Sequence, residues 1–292
     1  MTETQTTRAR IGKVGIWSLE LRFGDHGEAA EAAAELDELG YGALWVPGGI
    51  GGPVFDDIGR LLAATKRTTI ATGILNIWKH EPSEVGTWWT QQSEAIRART
   101  LLGLGISHGP LIGEAYAKPV ATMRAYLDML EEAGMALDHA VLAALGPKML
   151  ELAAARTAGA HPYLVTPKHT AEARAALGPD AVLAPEQGVV FETDPVRARD
   201  LARGAVEHYR RLPNYTNNWK RLGFTEEEIE GSCDRLIDAL FAWGSAEKIA
   251  ERVAAHHAAG ADHVCIQVIN GAPAPSAAAS LPAWRELAAV LL

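Results

Sequence analysis

AAEAAAELDELGYGALWVPGG, residues 29–49, is a helix that hands over to a strand through a glycine. Ala29, Ala32, Ala33, Leu36 and Leu39 recur at helical spacing and share a face, while Glu28, Glu31, Glu35 and Glu38 lie toward the other side. Gly40 follows at once, where a glycine can end the helix by taking the left-handed conformation at little cost. Ala43-Leu44-Trp45-Val46 then reads as a buried strand. The same joint returns at Gly159, ahead of His161-Pro162-Tyr163-Leu164-Val165, and at Gly260, ahead of His263-Val264-Cys265-Ile266.

Outward from this unit, apolar β-rich runs alternate with amphipathic stretches over most of the chain. Strands are expected at 13–18, 43–46, 68–76, 100–106, 140–145, 161–165, 181–191 and 263–269. A second clear helix covers 246–259, with Ile249, Val253 and His257 on one face and Lys248, Glu251 and Arg252 toward water. Helix starts are legible as well: Gly146-Pro147, Thr166-Pro167 and Asp194-Pro195 each put proline at a first helical position. Strand-helix alternation builds a parallel sheet with helices outside. Eight such strands in 292 residues favour an α/β fold of the (β/α)8 TIM-barrel type over an open sheet.

The expected organisation is a single domain over 1–292, with 1–11 as a flexible N-terminal tail. Residues 212–232, LPNYTNNWKRLGFTEEEIEGS, break the rhythm. They are too long for a turn and too polar for a strand, and are expected to form an insertion after strand seven, carrying short helices near the barrel mouth.

Composition narrows the function classes. Hydrophobic residues make up 48% and charged residues 22%, enough for a large core. A net charge of −9 disfavours a general nucleic-acid surface but leaves room for a local anion site. No apolar stretch suits a membrane span and the first ten residues lack a secretory pattern, so a cytoplasmic location and no membrane partner are expected. Cys233 and Cys265 form neither a metal-ligand spacing nor a disulfide framework.

In a barrel, chemistry gathers at the C-terminal ends of the strands. Those ends offer Trp17, Asn76, Trp78, His80, Gly103, Gly105, Ser107, His108, Gly146, Lys148, Tyr163, Thr166, Gln267 and Asn270, with Glu186 and Gln187 if strand seven bends at Pro185. The set is rich in glycine, amide, hydroxyl and aromatic groups and poor in metal ligands, so no metal is expected. Trp78 is the candidate wall for a planar ring. Gly103-Leu104-Gly105 reads equally as close backbone packing or as close approach to a ligand.

A resemblance adds to this. ALWVPGG at 43–49, IATGILNIW at 70–78, LLGLGISHGPL at 101–111, VLAALGPKML at 141–150, HPYLVTP at 161–167, APEQGVVFETDP at 184–195 and LPNYTNNWKRLGF at 212–224 come in a characteristic order. With them the chain resembles the luciferase-like monooxygenase family, and within it the coenzyme F420-dependent oxidoreductases. The resemblance implies a luciferase-like (β/α)8 barrel and an oxidoreductase that moves hydride between a deazaflavin and a small organic substrate. It also implies a cis, non-proline peptide at Gly73–Ile74 against the middle of the ring. By the same resemblance Gly73, Ile74, Asn76, Gly105, Ser107, Gly146 and Lys148 hold the cofactor, coenzyme F420 or alternatively FMN. Trp78, Glu186 and Gln187 are then expected to contact the substrate, and relatives commonly pair as homodimers.

The chain departs from many relatives at Pro47-Gly48-Gly49-Ile50-Gly51-Gly52, where an acid or histidine usually follows strand two. The sugar-phosphate dehydrogenase branch, which uses that histidine, is therefore disfavoured, and His108 is expected to be the catalytic acid or base, titrating near neutral pH. The alternatives are an FMN-dependent monooxygenase of the same family and a cofactor-binding barrel without turnover.

Overall fold

The computed structural model describes residues 7–49 and 51–292. Among these, ten strands form one parallel, curled sheet: β1 (Val14–Trp17), β2 (Ala43–Gly48), β3 (Thr69–Asn76), β4 (Thr100–Gly105), β5 (Ala140–Leu142), β6 (Gly159–Ala160), β7 (Val182–Leu183), β8 (Glu186–Val190), β9 (Phe241–Trp243) and β10 (Val264–Val268). Their order is β7-β6-β5-β4-β3-β2-β1-β10-β8-β9.

Two of the three expected helix–glycine–strand joints, at Gly40 and Gly260, form as their residues dictate. The helix His26–Leu39 buries Ala29, Ala32, Ala33 and Leu36 and ends at Gly40, whose φ is 102°. Gly260 likewise takes a positive φ, 101°, just past its helix. Gly159 does not end a helix: the helix Pro147–Arg156 stops at Thr157, and Gly159 lies inside β6, where a β-carbon would fall 1.9 Å from Val182 O. Pro147, Pro167 and Pro195 each open a helix, and the last two are capped by the side chains of Thr166 and Asp194. In the helix Ala246–Ala258 the buried face is Ala246, Ile249, Val253 and His256. His256, not the expected His257, thus turns inward, where its ring meets Thr170 Oγ1 at 2.8 Å and Gln187 Oε1 at 2.9 Å.

Three expectations change. The run 181–191 is interrupted at Ala184-Pro185, because proline has no N–H for the ladder. Its first half pairs with β6 and its second with β10. Hydrogen bonds continue on both flanks of the break, from Ala184 N to Ala160 O and from Cys265 N to Pro185 O. The strand expected at 161–165 lies earlier, at Gly159–Ala160. Pro162 cannot donate, and Leu164 turns to a φ of 53°, so His161 to Val165 form a loop. β9, three residues long, carries too little alternation to be seen in sequence. At the N-terminus, Thr7–Ile11 is a helix with Ile11 fully buried, not a flexible tail; positions 1–6 lie outside the described residues.

Side chains alternate between two layers, since neighbours on a strand point to opposite faces. The outer layer packs Leu44, Ile70, Leu102, Leu104, Leu142, Val264 and Ile266 against the helices. The inner layer holds Trp17, Ala43, Trp45, Ala71, Leu101, Val141, Val182, Ala184 and Cys265. Large inner rings are balanced by missing side chains: a β-carbon on Gly15 would sit 2.6 Å from His263 Nε2, and one on Gly73 2.3 Å from Trp17 Nε1. Residues 212–232 contain the helices Pro213–Arg221 and Glu226–Glu230, the second started by a Thr225/Glu228 capping box.

Candidate active site

β3, β4 and β5 end beside one another, and their last residues surround a two-lobed cavity. The wider lobe, about 430 Å³, is lined by Ile74, Gly105, Ser107, His108, Gly146 and Lys148, among others. The second, about 290 Å³, is lined by Trp17, Gly73, Ile74, Asn76, His108, His161 and Tyr209, among others. The lobes share Ile74, Ser107, His108, Ala143, His161, Tyr163 and Tyr215.

The Gly73–Ile74 peptide between them is cis. The Ile74 side chain lies over β4, where β-carbons on Gly103 and Gly105 would fall 2.9 and 2.3 Å from its atoms. That settles the two readings of Gly103-Leu104-Gly105 in part. Both glycines make room for Ile74, and Gly105 also lines the wider lobe.

One end of the wider lobe brings together a helix start and two cationic side chains. The helix Pro147–Arg156 starts there behind Gly146, and no side chain caps its first turn. The start of a helix carries partial positive charge and N–H groups aimed outward. Lys148 and Arg221 line the same end. Arg221 comes from the helix Pro213–Arg221 and is held by Leu145 O at 3.2 Å and Asn218 Oδ1 at 3.0 Å. That helix also supplies Asn214, whose Nδ2 donates to Tyr116 Oη at 3.1 Å across the lobe.

His108 follows β4 and directly precedes the helix Gly109–Ile112; its side chain makes no capping bond, and Nδ1 is buried without a partner. Burial, assisted by nearby His208, pushes its pKa down to about 4. The imidazole is therefore neutral near pH 7, rather than titrating there as its ordinary pKa suggests. Ser107, just before it, holds a φ of 62°.

Three expected contacts are not at the cavity. Trp78 packs against the outer core, its Nε1 donating to Ile106 O at 2.8 Å. Gln187 pairs with Ile266, an outer-layer residue, and its amide reaches Leu240 O and His256 under the helices. Alternation allows only one of two consecutive strand residues to face inward. Glu186 is that one, paired with Cys265. It lies beneath the cavity, 1% exposed, with Oε2 accepting from Leu164 N at 3.1 Å and Oε1 unpartnered. Burial pushes its pKa up to about 8.

Besides Trp17 and Tyr163, which the strand ends offered, the cavity's aromatic walls come from Tyr116, Tyr209 and Tyr215, which spacing did not single out. Tyr163 Oη donates to Gln267 Oε1 at 2.8 Å, and its ring lies 5.4 Å from that of Tyr209. Tyr209 and Tyr215 sit in short helical turns on either side of Leu212, where no strand-end rule could place them.

The structure can be set beside known ones. An F420-dependent secondary alcohol dehydrogenase in complex with an F420-acetone adduct is similar over 96% of this chain and 99% of its own, with a TM-score of 0.69 and 15% identity. The coenzyme F420-dependent tetrahydromethanopterin reductase of Methanopyrus kandleri is similar over 97% and 100%, with a TM-score of 0.72 and 14% identity. The fold is luciferase-like. An FMN complex with the same luciferase-like architecture is the oxygenating constituent of 3,6-diketocamphane monooxygenase from the CAM plasmid of Pseudomonas putida, a type II Baeyer-Villiger monooxygenase. It is similar over 96% of both chains, with a TM-score of 0.66 and 14% identity. No protein-family model and no curated protein matches the sequence.

Proposed function

We propose that this chain is an oxidoreductase that binds coenzyme F420 at the ends of β3, β4 and β5 and acts on a small organic molecule. The sheet is read as an eight-stranded barrel, with β7 and β8 as one strand bent at Pro185 and β9 as an outlying partner. The observation that carries the reading is the cavity itself. It lies over the cis Gly73–Ile74 peptide and ends at an uncapped helix start flanked by Lys148 and Arg221. A flat ring with an anionic tail matches both parts: the tail toward Gly146, Lys148 and Arg221, the ring over Ile74 and beside Gly105 and Ser107. The smaller lobe, with Trp17, His108, His161 and Tyr209, is then the substrate side.

When bound, the deazaflavin supplies the hydride chemistry. The protein's share is to orient and to keep water out. His108, neutral near pH 7, accepts rather than donates a proton at its free nitrogen, or holds a substrate hydrogen bond there. Glu186, kept protonated beneath the floor, adds no negative charge below the ring.

An FMN-dependent monooxygenase is the second reading, favoured by the likeness to the FMN complex at a similar TM-score. Titration of purified protein with F420 and with FMN, followed by ring fluorescence, separates the two. Tighter F420 binding supports the first reading, and co-purified FMN with oxygen consumption overturns it.

A further inference from the structure

Two buried polar atoms of residues that line the smaller lobe have nothing to bind. Trp17 Nε1, at the end of β1, and His161 Nε2, just after β6, have no hydrogen-bond partner. Trp17 is 6% exposed and His161 2%, and both line the smaller lobe. A β-carbon on Gly73 would lie 2.3 Å from Trp17 Nε1 and 3.0 Å from His161 Nε2. The two nitrogens are therefore close enough for a single ligand oxygen to reach both.

Their polarities are opposite. An indole nitrogen only donates. His161 Nδ1 stands 2.7 Å from the carbonyl oxygen of Ala184, which only accepts, so Nδ1 carries the hydrogen. Burial pushes this imidazole's pKa down to about 4, so near pH 7 it is neutral and Nε2 is a bare lone pair. The ring cannot swing away from this role. Trp45 stacks on it at 4.3 Å and 18°, and Trp45 is itself held by a 3.1 Å hydrogen bond to His263 Nε2.

We propose that Trp17 and His161 form a two-point site for a hydroxyl group on an uncharged substrate, its oxygen accepting from Trp17 Nε1 and its hydrogen donated to His161 Nε2. The proposal rests on the smaller lobe being the substrate side, and it names the substrate class. Other groups satisfy the pair less well. An ether or ketone oxygen fills only the indole, and an ammonium only the imidazole. A carboxylate would set its charge against the imidazole lone pair, and among the described residues no lysine or arginine lines this lobe. A hydroxyl offers both functions at one atom and carries no charge near neutral pH, where an alkyl amine is protonated and loses its acceptor.

The test uses the full chain without cofactor and three probes: cyclohexanol, methoxycyclohexane and cyclohexanecarboxylate, with binding read by ligand-observed NMR. The expected result is cyclohexanol binding about tenfold more tightly than the ether, the worth of one buried hydrogen bond, with no carboxylate binding. Equal binding of alcohol and ether to the unaltered protein overturns the proposal, and that comparison needs no variant. In Trp17→Phe and His161→Asn the preference should fall to near unity. Asn keeps a donor for Ala184 O but removes the acceptor at Nε2. F420 and FMN titrations of the same variants form the second arm. Unchanged cofactor affinity supports the substrate site, whereas a tenfold loss with the alcohol preference intact assigns the pair to the ring and overturns it. If the unaltered protein binds neither cofactor yet keeps the alcohol preference, the oxidoreductase reading falls and the hydroxyl site stands.

Discussion

His108 shows how burial changes what a side chain can do. Its residue type suggests a proton carrier at neutral pH, but desolvation holds it in the neutral form down to about pH 4. His108→Ala should slow turnover by about a hundredfold, the lower range for removing a positioned proton-transfer group, while changing cofactor affinity far less. Steady-state kinetics beside a cofactor titration checks this; the reverse pattern makes His108 a binding residue. Glu186 gives a stability prediction with a definite sign. Its folded pKa, about 8, lies above its ordinary value, so the folded state holds a proton that the unfolded state releases. Its contribution is complete at pH 4 and declines as pH rises from there toward 8. Glu186→Gln should therefore gain on the unaltered protein between pH 5 and 8 in urea melts, and a constant difference across that range would refute the assignment.

At the scale of elements, the glycine run after β2 shows how a loop without side chains is given a shape. Arg22, in the helix Glu20–Phe23, donates Nε to Asp57 Oδ2 at 2.9 Å. Its guanidinium also reaches the carbonyls of Pro47, Gly51 at 3.1 Å and Gly52 at 3.2 Å. Lys79 Nζ reaches Gly49 O at 3.0 Å. The loop that lacks a side-chain acid is thus held by cations on its backbone, and Pro47 and Gly49 form a wall of the smaller lobe. The Arg22 side chain is fully buried and that of Asp57 is 7% exposed. Asp57→Ala leaves that charge without its carboxylate and should cost about 3–5 kcal/mol in denaturant melts. None of this was legible, because residues 22, 51 and 57 meet only once β1 and β2 lie side by side and parallel, so that the segments after them leave the same edge of the sheet. The elements themselves were legible wherever a period ran long enough. The helix at His26–Leu39 and strands β1 to β4 lie where alternation and glycine joints put them. β6 and β9, two and three residues long, carry no period to read.

For the whole molecule, ligand binding and stability are linked. Any cofactor that binds only the folded chain adds about 2.7 kcal/mol at a hundred times its Kd, which should raise Tm by several degrees for a chain of this size. Thermal melts with F420, FMN and neither would show it, and identical melting in all three would remove the cofactor reading. By itself the sequence determined the strand–helix alternation, the glycine and proline boundaries and the resemblance that points to Gly73–Ile74, because each depends on near neighbours in the chain. Only the tertiary structure decided that Trp78 and Gln187 face the helices and that Tyr209, Tyr215 and Arg221 reach the cavity. It alone set His161 beside Trp17. A side chain's neighbours across a curled sheet are fixed by strand register and closure, which bring together positions more than a hundred residues apart.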